Sequence, residues 1–201
     1  MKILGIFAHP DDEILFGWPV MQGDGERIVL VVSDNSQNYP NAVQALSGLR
    51  DEGVKRIDCL NIPSGFYRLP FRKSEVTLMQ VVDRIKSRIS KMIKDASPDY
   101  LYTHNPMGEY GHGDHKLLFE ICASLSYPML FSDICMINKC HFGFEEIPGH
   151  IQKAYYDHSF FSSVTLDKDF YRRGIDRYRK YHSWSWNGTV PETAMLFKIN
   201  E

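Results

Sequence analysis

Along the chain, short apolar runs alternate with stretches in which apolar residues recur every three or four positions. Residues 2–8 (KILGIFA) and 27–33 (RIVLVVS) are near-continuous, β-branched-rich and bounded by turn residues, the pattern of strands covered on both faces of a parallel sheet. Residues 57–62 and 100–103 have the same character, the latter after Ser97-Pro98-Asp99. Helical spacing predicts helices over 41–53, through Ala42, Val43, Leu46 and Leu49, and over 73–94, through Val76, Met79, Val82, Ile85, Ile89 and Ile93. Two more helices, over 11–22 and 113–125, each begin at an acidic cluster. Downstream, 129–137, 154–159 and 194–199 read as strands and 167–181 as a helix. Strand alternating with helix predicts an α/β fold with a mostly parallel sheet and helices on both faces. With no internal repeat or shift in composition, residues 1–201 read as a single domain.

Composition narrows the class. The 201 residues are 43% hydrophobic and 24% charged, ordinary for one domain with a sizeable core, which excludes disordered, collagenous and disulfide-dense chains. Twenty-three Lys and Arg against 25 Asp and Glu give a net charge of -2, so no basic field draws the molecule to nucleic acid or anionic lipid. The apolar runs fall short of the roughly 18 residues that a membrane span needs. The start, MKILGIFAHPDDE, runs straight into charged residues without a small-residue cleavage site, so a cytoplasmic location is expected.

The four cysteines, Cys59, Cys122, Cys135 and Cys140, form no CxxC pair and read as small apolar residues; Cys140-His141 lacks a second pair at zinc-site spacing. The triplet Asn187-Gly188-Thr189 has the form of a glycosylation acceptor but reads as a turn.

The chemistry gathers in two places. The first strand ends in Ala8-His9-Pro10-Asp11-Asp12-Glu13. Pro10 disfavours helical backbone at His9, so the strand turns there and its polar side chains collect at the carboxyl edge, where α/β sheets bind ligands. A divalent cation would accept imidazole nitrogen and carboxylate oxygen together; alternatively, Asp11, Asp12 and Glu13 complement the dipole of an exposed helix N-terminus. After the fourth strand comes THNPMGEYGHGDH, residues 103–115, a Gly-rich loop with three histidines leading into a helix. The ends of the first and fourth strands are neighbours if the chain reverses between them, which would bring the clusters face to face. His112 and His115, at i and i+3, project to one side of a first helical turn, with Asp114 between them pointing elsewhere. Histidines from both loops and one carboxylate would make a catalytic metal site with open positions; the alternative is a loop of satisfied surface histidines.

The AHPDDE and HGDH segments together resemble the PIG-L (LmbE-like) N-acetylglucosaminyl deacetylase family, metal-dependent amidases with a Rossmann-like sheet, and the similarity covers mainly residues 1–35 and 98–120. The resemblance implies His9, Asp12 and His115 as metal ligands and Asp11 as general base. It further implies His112 as partner of the tetrahedral intermediate, Tyr110 as an aid to the oxyanion, and Asp114 as the group that orients His112. Two positions depart from the family pattern: Gly113 stands where Pro is usual, and SDNSQNY, residues 33–39, replaces a Thr-x-Gly-Glu stretch used around substrate.

The resemblance implies removal of an acyl group, an acetyl above all, from the amide nitrogen of an amino sugar, sugar-like molecule or glycoconjugate. Hydrolysis of another amide or an ester, and a non-catalytic metal-containing protein of the same fold, remain as alternatives. A homo-oligomer is compatible with all of these. Two imidazoles and a carboxylate suit Zn²⁺, and Fe²⁺, Mn²⁺ or Co²⁺ fit the same donors. The roles of Glu13, His104 and Asn105 stay open between support and substrate contact. In 171–182 (YRRGIDRYRKYH) the basic residues read as a solvated helix face packed through its aromatics, and Trp184 and Trp186, alternating on one side, as packing or a surface for a sugar ring.

Overall fold

Residues 2–7, KILGIF, form β1 (Lys2–Phe7), and their alternation is used on both faces. Ile3 and Phe7 enter one core, Leu4 and Ile6 the other. β2 (Glu26–Ser33) repeats this, with Val29 and Val31 in the first core and Ile28, Leu30 and Val32 in the second. The computed structural model describes residues 1–34, 38–69, 77–134, 159–186 and 190–199. Within them β3 (Val54–Ile62), β4 (Tyr100–Tyr102), β5 (Met129–Ser132), β6 (Ser159–Thr165) and β7 (Thr193–Ile199) complete a seven-stranded sheet of order β3-β2-β1-β4-β5-β7-β6. The pairings from β3 through to β5 are parallel, while β7 runs antiparallel to both β5 and β6. The α/β expectation, with a mostly parallel sheet and helices on both faces, is met.

Helices cover the two faces. On one lie α1 (Asp12–Leu15), α2 (Trp18–Met21), α3 (Ala42–Ser47) and α7 (Lys168–Lys180); on the other lie α4 (Leu78–Ala96) and α6 (Gly113–Ala123), with the short α5 (Gly108–Gly111) leading into α6. No helix among the described residues is long and apolar enough to cross a membrane.

Several predicted boundaries move, each for a local reason. The helix expected over 11–22 is two short helices broken at Gly17, where a Cβ would lie 2.5 Å from the Phe7 ring and 2.7 Å from the Glu13 carbonyl oxygen. Pro19 sits within the first turn of α2, where its missing N–H costs nothing. α3 ends at Ser47 and a 3-10 turn (Gly48–Arg50) follows; Val43 faces outward while Ala42, Ala45, Leu46 and Leu49 are buried. α4 begins at a capping box in which the Thr77 hydroxyl accepts from the Gln80 N–H and the Gln80 side chain accepts from the Thr77 N–H. Its buried stripe is Leu78, Val81, Ile85, Ile89 and Met92, so Met79 is exposed; the two possible stripes share Ile85 and Ile89, and the one packed on the sheet runs through Val81 and Met92. β5 stops at Ser132, and β6 starts at Ser159 as a half-exposed edge strand whose run SFFSSVT carries little apolar signal. Residues 73–76, 135–137, 154–158 and 187–189, with Cys135, Cys140 and His141, lie outside the described residues. Of the other cysteines, Cys122 is buried and Cys59 partly so, both free thiols.

The order 3-2-1-4-5 places the topological switch at β1 and β4. The chain leaves β1 for one side and returns on the other, so the loops after β1 and β4 share one carboxyl edge.

Candidate metal centre and active site

The turn after β1 is built against backbone preference. Asp11 has φ +90° and ψ -22°, in the left-handed region that a non-glycine residue occupies at a cost. Its N–H is held by the Glu13 carboxylate at 2.9 Å and the Tyr178 hydroxyl at 2.9 Å, and Tyr178 donates to Glu13 at 2.7 Å. Glu13 is fully buried, and burial, opposed by the charge of Arg177, pushes its carboxyl up to about 7. Glu13 thus holds the backbone of the turn through these contacts. Tyr178→Phe removes a donor from this buried carboxylate and an acceptor from the Asp11 N–H. A stability loss of roughly 1–3 kcal/mol is expected. Urea denaturation would measure it, and an unchanged midpoint would show that the hydroxyl does not hold the turn.

Three donors from the two loops converge. His115 Nε2 lies 3.3 Å from His9 Nδ1; Asp12 Oδ2 lies 3.3 Å from that Nδ1 and 3.4 Å from that Nε2. The opposite nitrogen of each imidazole meets a carboxylate: His9 Nε2 stands 3.0 Å from Asp114 and His115 Nδ1 2.7 Å from Glu109. With both rings neutral, donation of those two N–H groups leaves two lone pairs and a carboxylate oxygen pointing at one another, an arrangement that a positive charge reconciles. Four-coordinate Zn²⁺ with bonds of about 2.0–2.1 Å has ligand-to-ligand edges of about 3.3 Å. The three side chains thus match a divalent cation in chemistry and in spacing.

Electrostatics agree. Burial alone would raise the Asp12 carboxyl, but His115, His104 and His9 outweigh it and hold Asp12 well below the usual carboxylate range. Burial likewise pulls His9 down, yet the carboxylates of Asp114 and Asp12 flanking its two nitrogens push it up to about 10, so this spot favours positive charge. His112 also lies within 4.8 Å of His9 and His115. A second donor set, Asp12, His104 and His115, also has its atoms within 4.8 Å of one another. His104 Nε2, however, accepts the Ala8 N–H at 3.0 Å and its Nδ1 faces Glu109 at 3.1 Å, so neither nitrogen is left for a cation. His104 holds the ends of β1 and β4 together, and Asn105 holds its own loop through Ile134, Met107 and Glu109.

Asp11 lines the pocket beside these donors, its Oδ2 accepting from Ser185 Oγ at 2.5 Å. Burial and the charge of Asp12 raise it well above the usual carboxylate range, although the Ser185 bond opposes this. A cavity of about 190 Å³ opens over the site, lined on its apolar side by Leu15, Phe16, Tyr110 and Trp186 and on its polar side by His9, Asp11, Asp12, Asn38, Ser64, His112 and Ser185. The Tyr110 and Trp186 rings are 5.9 Å apart, with Phe16 6.2 and 6.3 Å from them. Trp184 turns instead to Tyr178, 6.3 Å away, so the two tryptophans do not share a surface.

Two expectations about residues change. Asp114, expected to orient His112, binds His9 instead and also accepts the N–H of Gly65 at 2.7 Å and of Tyr67 at 3.0 Å. It is fully buried at the start of α6, so its carboxylate points into the site rather than away. His112, expected to act as a protonated group, is pushed down to about 3 by burial and by His115 and His9, and its buried Nδ1 has no hydrogen-bond partner among the described residues. Both effects favour the uncharged imidazole over the protonated one. Gly113 has a reason of its own: a Cβ there would lie 2.4 Å from the Tyr67 ring, which packs on this turn and leaves no room for the family's proline.

The family model PIG-L, described as GlcNAc-PI de-N-acetylase, matches residues 4–126, more than half of the 201-residue chain. The chain belongs to the PIG-L family. The match takes in both loops of the centre but not Tyr178, Ser185 or Trp186. This PIG-L chain is 26% identical over 138 residues to an uncharacterized protein of Acanthamoeba polyphaga mimivirus, covering 64% of the chain and 60% of that relative's length. Its fold is similar to that of a deacetylase in the biosynthesis pathway of teicoplanin: one complex aligns with a TM-score of 0.60 at 15% identity, and a complex with teicoplanin with 0.56 at 14%, each over 100% of both chains. At such identities the likeness is one of fold.

Sequence reasoning did not single out Glu109, Ser185 or Tyr178. Glu109 lies inside the quoted loop, but a lone carboxylate two positions after Met107 carries no periodic signal. Ser185 and Tyr178 reach the site only through the tertiary fold.

Proposed function

We propose that this PIG-L chain is a metal-dependent N-deacetylase that hydrolyses the N-acyl amide, above all the N-acetyl group, of an amino sugar or a sugar-bearing conjugate. The observation that carries the reading is the convergence of His9 Nδ1, Asp12 Oδ2 and His115 Nε2 at 3.3–3.4 Å beneath an open cavity that Asp11 also lines. We treat residues 1–201 as one deacetylase domain, supported by a sheet that draws strands from both ends of the chain. Zn²⁺ is the metal we assign, with Fe²⁺, Mn²⁺ and Co²⁺ compatible with the same donors. Bound by His9, Asp12 and His115, the ion supplies Lewis acidity toward the amide carbonyl and lowers the pKa of water.

The protein's own groups complete the reaction. Asp11, its carboxyl raised by burial, takes the proton of the attacking water and can return one to the departing nitrogen. His112, whose surroundings favour the uncharged form, offers an N–H to the carbonyl oxygen as charge develops there, and Tyr110, which lines the same cavity, provides a phenol hydroxyl. Leu15, Phe16 and Trp186 exclude water around the acyl group, and the indole of Trp186 gives a sugar ring a face to pack on. The cavity, about 190 Å³, is smaller than the roughly 300–1,000 Å³ of sites that engulf a whole drug-sized ligand, so the acyl end enters and the rest of the substrate stays outside.

The test is a panel of N-acetylated amino sugars, nucleotide sugars and glycolipids incubated with the Zn²⁺-loaded protein, with released primary amine measured by fluorescamine. Amine release that stops on chelation is expected. Silence across the panel with metal bound would favour a binding protein of the same fold, and turnover confined to esters would move the substrate class.

A further inference from the structure

Glu109 occupies one of the least favourable backbone positions in the described chain, with φ +57° and ψ -53° inside the short α5. A non-glycine residue stays there only if its surroundings determine it fully. They do. Its N–H donates to Asn105 Oδ1 at 3.1 Å, and its Oε1 accepts the Asn105 N–H at 3.0 Å. Its Oε2 faces two imidazoles, His115 Nδ1 at 2.7 Å and His104 Nδ1 at 3.1 Å. Those rings are stacked, their centroids 3.8 Å apart and their planes 18° from parallel.

We infer that Glu109 is the positioning residue of the metal centre: one carboxylate sets the tautomer of both stacked histidines, turning His115 Nε2 toward His9 and Asp12 and His104 Nε2 onto the end of β1. The inference rests on reading His9, Asp12 and His115 as metal ligands. A carboxylate oxygen accepts only, so both facing nitrogens carry hydrogen, and in a neutral imidazole each Nε2 then presents a lone pair, as a metal ligand must. The His104 lone pair takes the Ala8 N–H at 3.0 Å, which fixes the residue just before His9. The His115 lone pair lies 3.3 Å from His9 Nδ1 and 3.4 Å from Asp12 Oδ2. Glu109 thereby acts on both halves of the centre: directly on one ligand, and through His104 on the strand end that carries another. Asp114 does the equivalent for His9 alone. Outer carboxylates of this kind fix ring orientation and increase the basicity of a ligating imidazole.

Glu109→Gln tests this because the amide is isosteric but cannot satisfy the same partners. With its oxygen toward the imidazoles, its NH₂ meets the Asn105 N–H; turned the other way, the NH₂ faces both Nδ1 atoms and drives the rings to the other tautomer. Zn²⁺ affinity of the full chain, measured by competition with a chromophoric chelator, is expected to fall about 10–100-fold in Glu109→Gln. Wild-type affinity in the folded variant overturns the inference. A wild-type chain that takes up neither Zn²⁺ nor Co²⁺ overturns the reading of the ligands and Glu109's role with it. A second measurement needs no variant: in the ¹H–¹⁵N imidazole spectrum of Zn²⁺-loaded wild-type protein, His104 and His115 are expected as Nδ1–H tautomers and His9 as Nε2–H. An Nε2–H tautomer at His115 overturns the proposal however the variant folds.

Discussion

Asp11→Asn is expected to keep the metal and lose turnover. The substitution is isosteric, and an asparagine oxygen can still accept from Ser185, so the strained turn held by Glu13 and Tyr178 has no reason to rearrange. What disappears is a proton acceptor. Positioned acid and base groups contribute about 10²–10⁴-fold to rate, and kcat on the best substrate of the panel should fall by that much. Metal content by elemental analysis should be unchanged, since Asp11 is not among the three donors that converge. Parental turnover in the variant would reject Asp11 as base, and loss of the metal would make it a ligand. Burial and the neighbouring Asp12 charge favour the proton on Asp11 more than on a carboxyl in water, which suits a base that must accept a proton and release it again.

His115→Ala is expected to empty the centre. The side chain supplies Nε2 to the cation site and Nδ1–H to Glu109, so its removal deletes one of three donors and leaves the Glu109 carboxylate with one partner fewer. The loss of metal affinity should exceed the roughly 10–100-fold that follows from disturbing an outer partner such as Glu109. Elemental analysis after dialysis, with circular dichroism confirming the fold, checks it; an unchanged metal-to-protein ratio would strike His115 from the ligand set. Together with Glu109→Gln, this variant ranks direct against indirect contributions on one scale.

Much of this was legible before any coordinates. The strands of the parallel core are covered on both faces, so they read as continuous apolar runs wherever the chain crosses the middle of the sheet, as in Ile3 to Phe7 and Ile28 to Val32. The edge gives no such signal: β6 is half exposed, and its composition does not distinguish it from a loop. Helix ends depended on details that periodicity does not carry, the Thr77 and Gln80 cap on α4 and the contact of Gly17 with Phe7. In the site, the residue types in the two loops identified the chemistry, and the neighbouring of β1 and β4 explains why those loops meet.

The partnerships within the site were another matter. Asp114 lies two residues from His112 in sequence, yet the first turn of α6 aims its carboxylate at His9, 105 positions away. Ser185 reaches Asp11 across 174 positions and Tyr178 reaches its N–H across 167, because α7 packs over α1. Local sequence determined which elements form, where the chain turns, and that imidazoles and carboxylates gather at one sheet edge, because backbone propensity and hydrophobic period act over a few residues. Tertiary structure alone decided which carboxylate faces which imidazole, that burial and two neighbouring imidazoles push His112 toward its uncharged form, and that Glu109 faces two rings, because hydrogen-bond direction and desolvation depend on distances set by the packing of the whole chain.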